Sequence, residues 1–364
     1  MINALLVGQY KVRNDGWSEC TRSLIKSILT QPEINLNIQN INMANRAPSP
    51  ETEFSHLEKK SDKYDVVLQK VLPNLFHYDA HFGQNIGMCV FETELPKSHP
   101  YIYRISNLLD KVTVTNNLEY SWLSKITKTP VFPIGEAIDI KKYEKHFQPV
   151  HPIFQDASIF KFLCTAEATE RKNLSALIKA YLTEFSFRDN VALVIKTSND
   201  LGPEIEKIKN TLRKSNNHHY PIICLINGII SEDQMASLYQ YSDCFVVPSK
   251  GESFCRGAAE SIAAGKPVIC TRDIGTGEFI SNGGWLVDSR TESCYVEQPP
   301  VPELCTYQEL WQDISILDLK RCLREAFSDK DLYKHICENI KNLDLAEQFS
   351  YESVGNNLLK VIEA

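Results

Sequence analysis

The chain has no C-x-x-C pair and no Cys/His spacing of the zinc-binding kind, although 11 cysteines are scattered singly from Cys20 to Cys337. An odd number of isolated thiols argues against a disulfide framework and for a reducing compartment, so a cytoplasmic location is expected. No window approaches the roughly 18 apolar residues that a membrane span needs. The opening MINALLVGQYKVRNDG carries neither a basic leader region nor a small-residue cleavage site, so a secretory leader and a transmembrane segment are not expected. An excess of positive charge is missing too: 39 Lys+Arg against 46 Asp+Glu give a formal net charge of -7, with a pI near 5.8. Proteins that grip a phosphate backbone usually show a basic face, so nucleic acid is not an expected partner. Short-period repeats and low-complexity tracts are also absent.

What the chain does have is length and rhythm. Its 364 residues exceed one ordinary core, which makes two domains the natural arrangement. Short apolar runs at Asn3 to Val7, Tyr64 to Leu68, Ile86 to Phe91, Lys111 to Thr115 and Pro130 to Pro133 read as buried, parallel strands between helical segments. A stretch rich in proline and charge, from Gly135 to Pro152, reads as a linker. The alternation then resumes with strands at Phe160 to Thr165, Ala192 to Lys196, Ile222 to Ile226, Cys244 to Val247 and Pro267 to Thr271. The expected organisation is α/β, with two Rossmann-like doubly wound domains at residues 1–148 and 149–348. Residues 288–306 read as a surface excursion before a helix at Asp318 to Phe327. Two such domains would hold a ligand at the carboxyl ends of their strands, in a central cleft that both face.

The most informative stretch is PSKGESFCRGAAESIAAGKPVI at residues 248–269. It sets Glu252 in a loop and Glu260 on a short helix of small residues that stops at Gly265. A loop whose amides open toward a helix N-terminus suits a phosphate or sugar oxygen, and two carboxylates beside it can accept hydrogen bonds from several hydroxyls. Those are the needs of a nucleotide sugar.

With CT added, that stretch resembles the donor-site signature of retaining glycosyltransferase family four, whose fold is GT-B. The preceding QMASLYQYSDCFVVPS and the following GTGEFISNGGWLVD resemble its flanking elements. The likeness covers most of residues 155–364. In the first domain it is carried mainly by Gly16, FETELP and IGEAID. It implies that Glu260 accepts from ribose hydroxyls, that Glu252 contacts the transferred sugar, and that the amides of Ser253, Phe254 and Cys255 line the sugar and diphosphate. The family commonly has glycine where Cys255 stands. Arg171 and Lys172, in TAEATERKNLSALIKAYLTEF, open a helix where cations oppose the dipole unless an anion compensates. By resemblance they neutralise the diphosphate. Lys196 is a further candidate diphosphate contact, and backbone at Gly228 and Ile229, in INGIISEDQM, would cradle the base.

A glycine between the first strand and first helix, Gly16 beside Trp17, would let bare backbone approach phosphate or sugar. The resemblance implies a hexosyltransferase that retains anomeric configuration without a metal or other cofactor, using a nucleoside diphosphate sugar, with GDP-mannose as the leading donor, and a glycan acceptor. A homodimer stays compatible with the sequence. The last segment, residues 349–364, resembles a terminal helix that crosses back to the first domain. Two rivals stand beside this reading. One is a sugar-nucleotide epimerase using Asp79, His81 and Glu92 as acid and base groups. The other is a nucleotide-sugar-binding protein without catalysis.

Overall fold

The structure is a computed structural model, and it describes residues 1–13, 15–43, 47–61, 63–212, 219–280, 282–296 and 305–364. The chain divides into two compact units. The first comprises Met1–Asp139, Ser293–Leu310 and Asp344–Ala364; the second comprises Ile140–Glu292 and Trp311–Leu343.

The first unit runs β1 (Ile2–Gly8), α1 (Gly16–Leu29), β2 (Ile34–Asn40), β3 (Val66–Lys70), β4 (Gln84–Met88), α2 (Pro100–Leu108), β5 (Lys111–Val114), α3 (Asn117–Ile126) and β6 (Val131–Pro133). Its strands form a six-stranded parallel sheet in the order β2-β1-β3-β4-β5-β6. Ala4, Leu6, Leu68 and Ile86 are buried in one core cluster, Val112 and Val114 in another, so both faces of the sheet are covered. The helices start where polar side chains supply caps: Asp15 accepts from Ser18 N at 2.9 Å, and Asn116 accepts from Glu119 N at 2.8 Å. Strand order reverses direction between β1 and β3, which makes their carboxyl ends the switch point of this sheet.

The second unit repeats the plan: β7 (Phe160–Thr165), α4 (Leu174–Glu184), β8 (Val191–Thr197), α5 (Gly202–Leu212), β9 (Ile222–Asn227), α6 (Glu232–Tyr241), β10 (Cys244–Val247), α7 (Arg256–Ala263), β11 (Val268–Thr271), α8 (Gly275–Ile280) and β12 (Gly284–Val287). Here the order is β12-β11-β10-β7-β8-β9, again parallel, with its switch point between β7 and β10. This is the GT-B pair of Rossmann-like units.

After β12 the chain forms a two-stranded sheet rather than a plain surface excursion: β13 (Ser289–Ser293) pairs with β14 (Leu310–Ile314), and Cys294 and Cys305 are buried. Residues 297–304 of that excursion lie outside the described residues. Two helices, α9 (Ile316–Ser328) and α10 (Lys330–Lys341), follow in the second unit. The chain then returns to the first unit through α11 (Leu345–Phe349) and α12 (Tyr351–Glu363). A Cβ on Gly355 would lie 2.3 Å from Ser27 O, so the bare glycine is what lets α12 press onto α1. Lys111 Nζ donates to Val361 O at 2.8 Å, a cation on the final turn where free carbonyls need one.

The first unit ends at Asp139, short of residue 148, for a local reason. The 3-10 turn Ile140–Glu144 and the residues after it hydrogen-bond to α6: Phe147 N donates to Gln240 Oε1 at 3.2 Å, and Gln240 Nε2 to Tyr143 O at 3.3 Å. Among the described residues, no helix is long and apolar enough to cross a membrane.

Candidate functional site

Two loops leave the second sheet at its switch point, one after β7 and one after β10, and they carry the charged residues of interest. Each loop ends on a backbone conformation that bulkier side chains avoid. Asn173, which caps α4, has φ +53°, and Cys255, which caps α7, has φ +62°. Asparagine tolerates the left-handed region better than most residues, whereas cysteine adopts it at a cost of about 1–2 kcal/mol. The two loops are stitched together by backbone: Lys250 N donates to Arg171 O at 2.8 Å.

The side chains converge on one carboxylate. Lys172 Nζ donates to Glu252 Oε1 at 2.5 Å, Arg171 Nη1 lies 3.2 Å from Glu252 Oε2, and Ser249 Oγ donates to Glu252 Oε1 at 2.6 Å. Arg171 Nη1 also donates to Gly251 O at 2.7 Å. Glu252 is 7% exposed. Burial alone would raise its pKa, but the charges of Lys172 and Arg171, with hydrogen bonds from Lys172 and Ser249, outweigh burial and hold it below the usual carboxylate range. Two cations and one carboxylate thus meet at the switch point. An ammonium has three donors and a guanidinium five, more than the contacts to Glu252 alone use.

The loop before α7 is fixed from behind. Gly275 N donates to Glu252 O at 2.8 Å, Thr271 Oγ1 to Ser249 O at 2.7 Å, and Thr276 Oγ1 to Phe254 O at 3.0 Å. Ser253 and Phe254 are buried, and the Phe254 ring lies 5.1 Å from that of Phe279. Burial, reinforced by the Glu252 charge, pushes the Cys255 thiol up to about 12, which keeps it protonated and unreactive at neutral pH. At the second residue of α7, a Cβ on Gly257 would sit 2.9 Å from the Phe245 ring, so the helix lies close against β10.

Glu260 is not a solvated helix acid. Arg256 Nε donates to its Oε1 at 2.9 Å, and it faces the phenols of Tyr143 and Tyr239, whose pKa values burial raises and Glu260 raises further. On the adjacent strand β8, Lys196 lies next to Thr165 in strand register and has no side-chain hydrogen bond or ion pair among the described residues. Gly228 has φ +90° just past β9, and Ile229 beside it is 72% exposed. Ser249, Asn173 and Tyr143 are the residues a motif reading passes over; Ser249 alone is signalled, by its place in PSKGES.

In the first unit the candidates separate. Gly16 is the first residue of α1, exposed, and a Cβ there would meet nothing within 4 Å, so no packing demands a glycine. Asp79 and His81 pair with each other at 2.7 Å in an exposed turn, His81 being 94% exposed at its side chain. The His81 hydrogen bonds lower the Asp79 pKa. Glu92 is exposed. Among the described residues, no three His, Cys, Asp or Glu side chains gather as a metal site.

Comparison with known proteins bears on the second unit above all. Residues 153–298 match the family model described as "Glycosyl transferases group 1". That segment is similar to the group 1 glycosyltransferases. A lipopolysaccharide 1,2-N-acetylglucosaminetransferase of Salmonella typhimurium is 30% identical over 207 residues, 56% of this chain and 47% of that protein. An uncharacterized glycosyltransferase of Methanocaldococcus jannaschii is 29% identical over 164 residues, 44% of this chain and 38% of that protein. The chain thus spans less than half the length of these curated relatives. Among solved structures, the Anabaena protein HepE in complex with UDP and glucose aligns over 100% of both chains, with a TM-score of 0.64 and 13% identity. At that identity the likeness concerns the fold, which is GT-B.

Proposed function

We propose that the protein is a retaining hexosyltransferase that moves a sugar from a nucleoside diphosphate to a hydroxyl of a glycan. The observation that carries the reading is the cluster of Lys172 and Arg171 on buried Glu252, at the switch point of a sheet within a group 1 glycosyltransferase segment. A diphosphate is an anion of the kind that an ammonium and a guanidinium bind well. As the bond from sugar to diphosphate breaks, charge grows on the leaving phosphate, and fixed cations there favour the transition state over the ground state. The acceptor hydroxyl then attacks from the face the leaving group vacates, and a phosphate oxygen takes its proton. Glu252, already ionised, accepts from the sugar's hydroxyls, and Glu260 accepts from the ribose. Ser253, Phe254 and Cys255 supply the sugar and diphosphate pocket, Lys196 a further phosphate contact, and Gly228 and Ile229 the surface for the base. Gly16 has open space where a Cβ would stand, and by the resemblance its backbone is a candidate phosphate or sugar contact. No cofactor is assigned.

No residue discriminates the base. The donor panel therefore sets UDP-sugars, suggested by the names of two similar proteins, beside GDP-mannose, the donor the sequence resemblance favours. The test is calorimetric titration of the chain with UDP-glucose, UDP-N-acetylglucosamine and GDP-mannose, repeated with Lys172→Met. Binding of one donor, weakened at least about tenfold by the substitution, supports the reading. Failure of all three to bind refutes it.

A further inference from the structure

The motif PSKGES contains one cation to which the donor reading gives no role, Lys250. It is held by a part of the chain outside the motif. Its ammonium lies 4.7 Å from the centroid of the Trp311 ring and 3.4 Å from Asp313 Oδ1. Trp311 and Asp313 are alternate residues of β14, so both side chains stand on the same face of that strand. Trp311 is buried, and the Lys250 side chain is 15% exposed. Arg290, in β13, lies 3.7 Å from Asp313 Oδ2 and brings a second cation to the same carboxylate.

The backbone of Lys250 is held as well. Its N–H donates to Arg171 O at 2.8 Å, and its carbonyl accepts from Gln312 N at 2.7 Å. Gln312 lies between Trp311 and Asp313, so β14 grips one residue of the loop through main chain and side chain together. The groups that the donor reading depends on lie beside that residue: Ser249 Oγ donates to Glu252 Oε1, and Gly251 O accepts from Arg171 Nη1. An ammonium set against a ring and a carboxylate has its charge answered inside the protein, so Lys250 does not serve as a third phosphate cation. What it supplies is a fixed anchor for the loop between β10 and α7. Moving a positioned group by about 1 Å can cost on the order of 100-fold in rate, so an anchor next to Glu252 bears directly on transfer.

We propose that Trp311 and Asp313 are positioning residues of the donor site, which act through Lys250 to fix the loop that carries Glu252. The inference rests on the transferase reading for the identity of the ligand, but not for the brace itself. The variants are Lys250→Met, which keeps the stem and removes the charge, Asp313→Asn, Trp311→Leu and Trp311→Phe. Two measurements are made on the full chain: amide hydrogen exchange of peptides covering residues 249–255, and calorimetric titration with UDP and with GDP. Expected is loop exchange about tenfold faster in Lys250→Met and Trp311→Leu, with the nucleotide that binds held about fivefold or more weakly. Trp311→Phe keeps a ring against the ammonium and should stay within about twofold of the unsubstituted chain in both measurements. Combined with Lys172→Met, Lys250→Met should weaken binding by less than the product of the two separate factors, because both act on Glu252. Unchanged loop exchange in Lys250→Met overturns the proposal, as does faster exchange with unchanged nucleotide affinity. Weaker binding without faster exchange also overturns it, since that is the mark of direct contact between Lys250 and phosphate. If Trp311→Leu does not fold, Lys250→Met and Asp313→Asn carry the test, because neither removes a buried ring. If the unsubstituted chain binds neither nucleotide, the transferase reading fails, and loop exchange alone then decides the brace.

Discussion

Replacing Glu252 with glutamine tests whether this carboxylate is the counter-ion of the cationic pair or merely its neighbour. The substitution keeps the volume and a hydrogen-bond acceptor for Ser249, but it removes the anion shared by Lys172 and Arg171, whose side chains are 22% and 21% exposed. Breaking a buried ion pair by removing one partner costs roughly 3–5 kcal/mol, and partial exposure of the cations places this case near the lower figure, about 3 kcal/mol. For a unit of this size that corresponds to a fall in Tm of about 6–12 °C in thermal unfolding followed by circular dichroism. Binding should move the other way. With one negative charge removed, the free nucleoside diphosphate meets a site more positive than before, so its affinity rises, while sugar transfer falls because the hydroxyls lose their acceptor. The double variant Glu252→Gln with Lys172→Met should recover at least about 1 kcal/mol relative to the sum of the single changes, since the second removes a charge that the first stranded. A loss of stability below about 1 kcal/mol, or a diphosphate affinity that falls with Glu252→Gln as it does with Lys172→Met, would refute the counter-ion argument.

Acid should weaken the same region. The Glu252 pKa is depressed on folding, so its contribution is present above the ordinary carboxylate value of 4.5 and is lost as pH falls below it; urea midpoints between pH 6 and pH 3 should show this, and Glu252→Gln should flatten the profile. In the first unit, buried His99 lies 3.1 Å from Glu309, and burial lowers its pKa from 6.5 despite the opposing charge of Glu309. A depressed histidine stabilises above the unfolded value, so stability should drop as pH falls through 6.5, and His99→Gln should remove that step. Gly16→Ala should leave Tm within about 1 °C or raise it, because the Cβ enters open space; a fall in kcat/KM without a fall in Tm would then report substrate approaching the backbone there. Gly355→Ala, in contrast, should cost about 2 kcal/mol or more by prising α12 from α1, read as a lower unfolding midpoint.

What the sequence discloses and what it hides divides along the distance over which each signal acts. Strands such as β7 and β8 are legible because an uninterrupted apolar run needs only its neighbours to be recognised. β2 is less so: Ile34, Leu36 and Ile38 alternate with Asn35, Asn37 and Gln39, and a reading tuned to buried runs passes over a strand with one polar face. The excursion at 288–306 looks polar, yet Cys294 and Cys305 are buried, because pairing of β13 with β14 supplies cover that composition does not reveal. For the site, Glu252 and Lys172 are legible as motif members, but their 2.5 Å contact spans 80 residues and depends on adjacent placement of β7 and β10, which no local spacing encodes. The left-handed turn at Asn173 is hidden for a different reason: asparagine permits that conformation without announcing it.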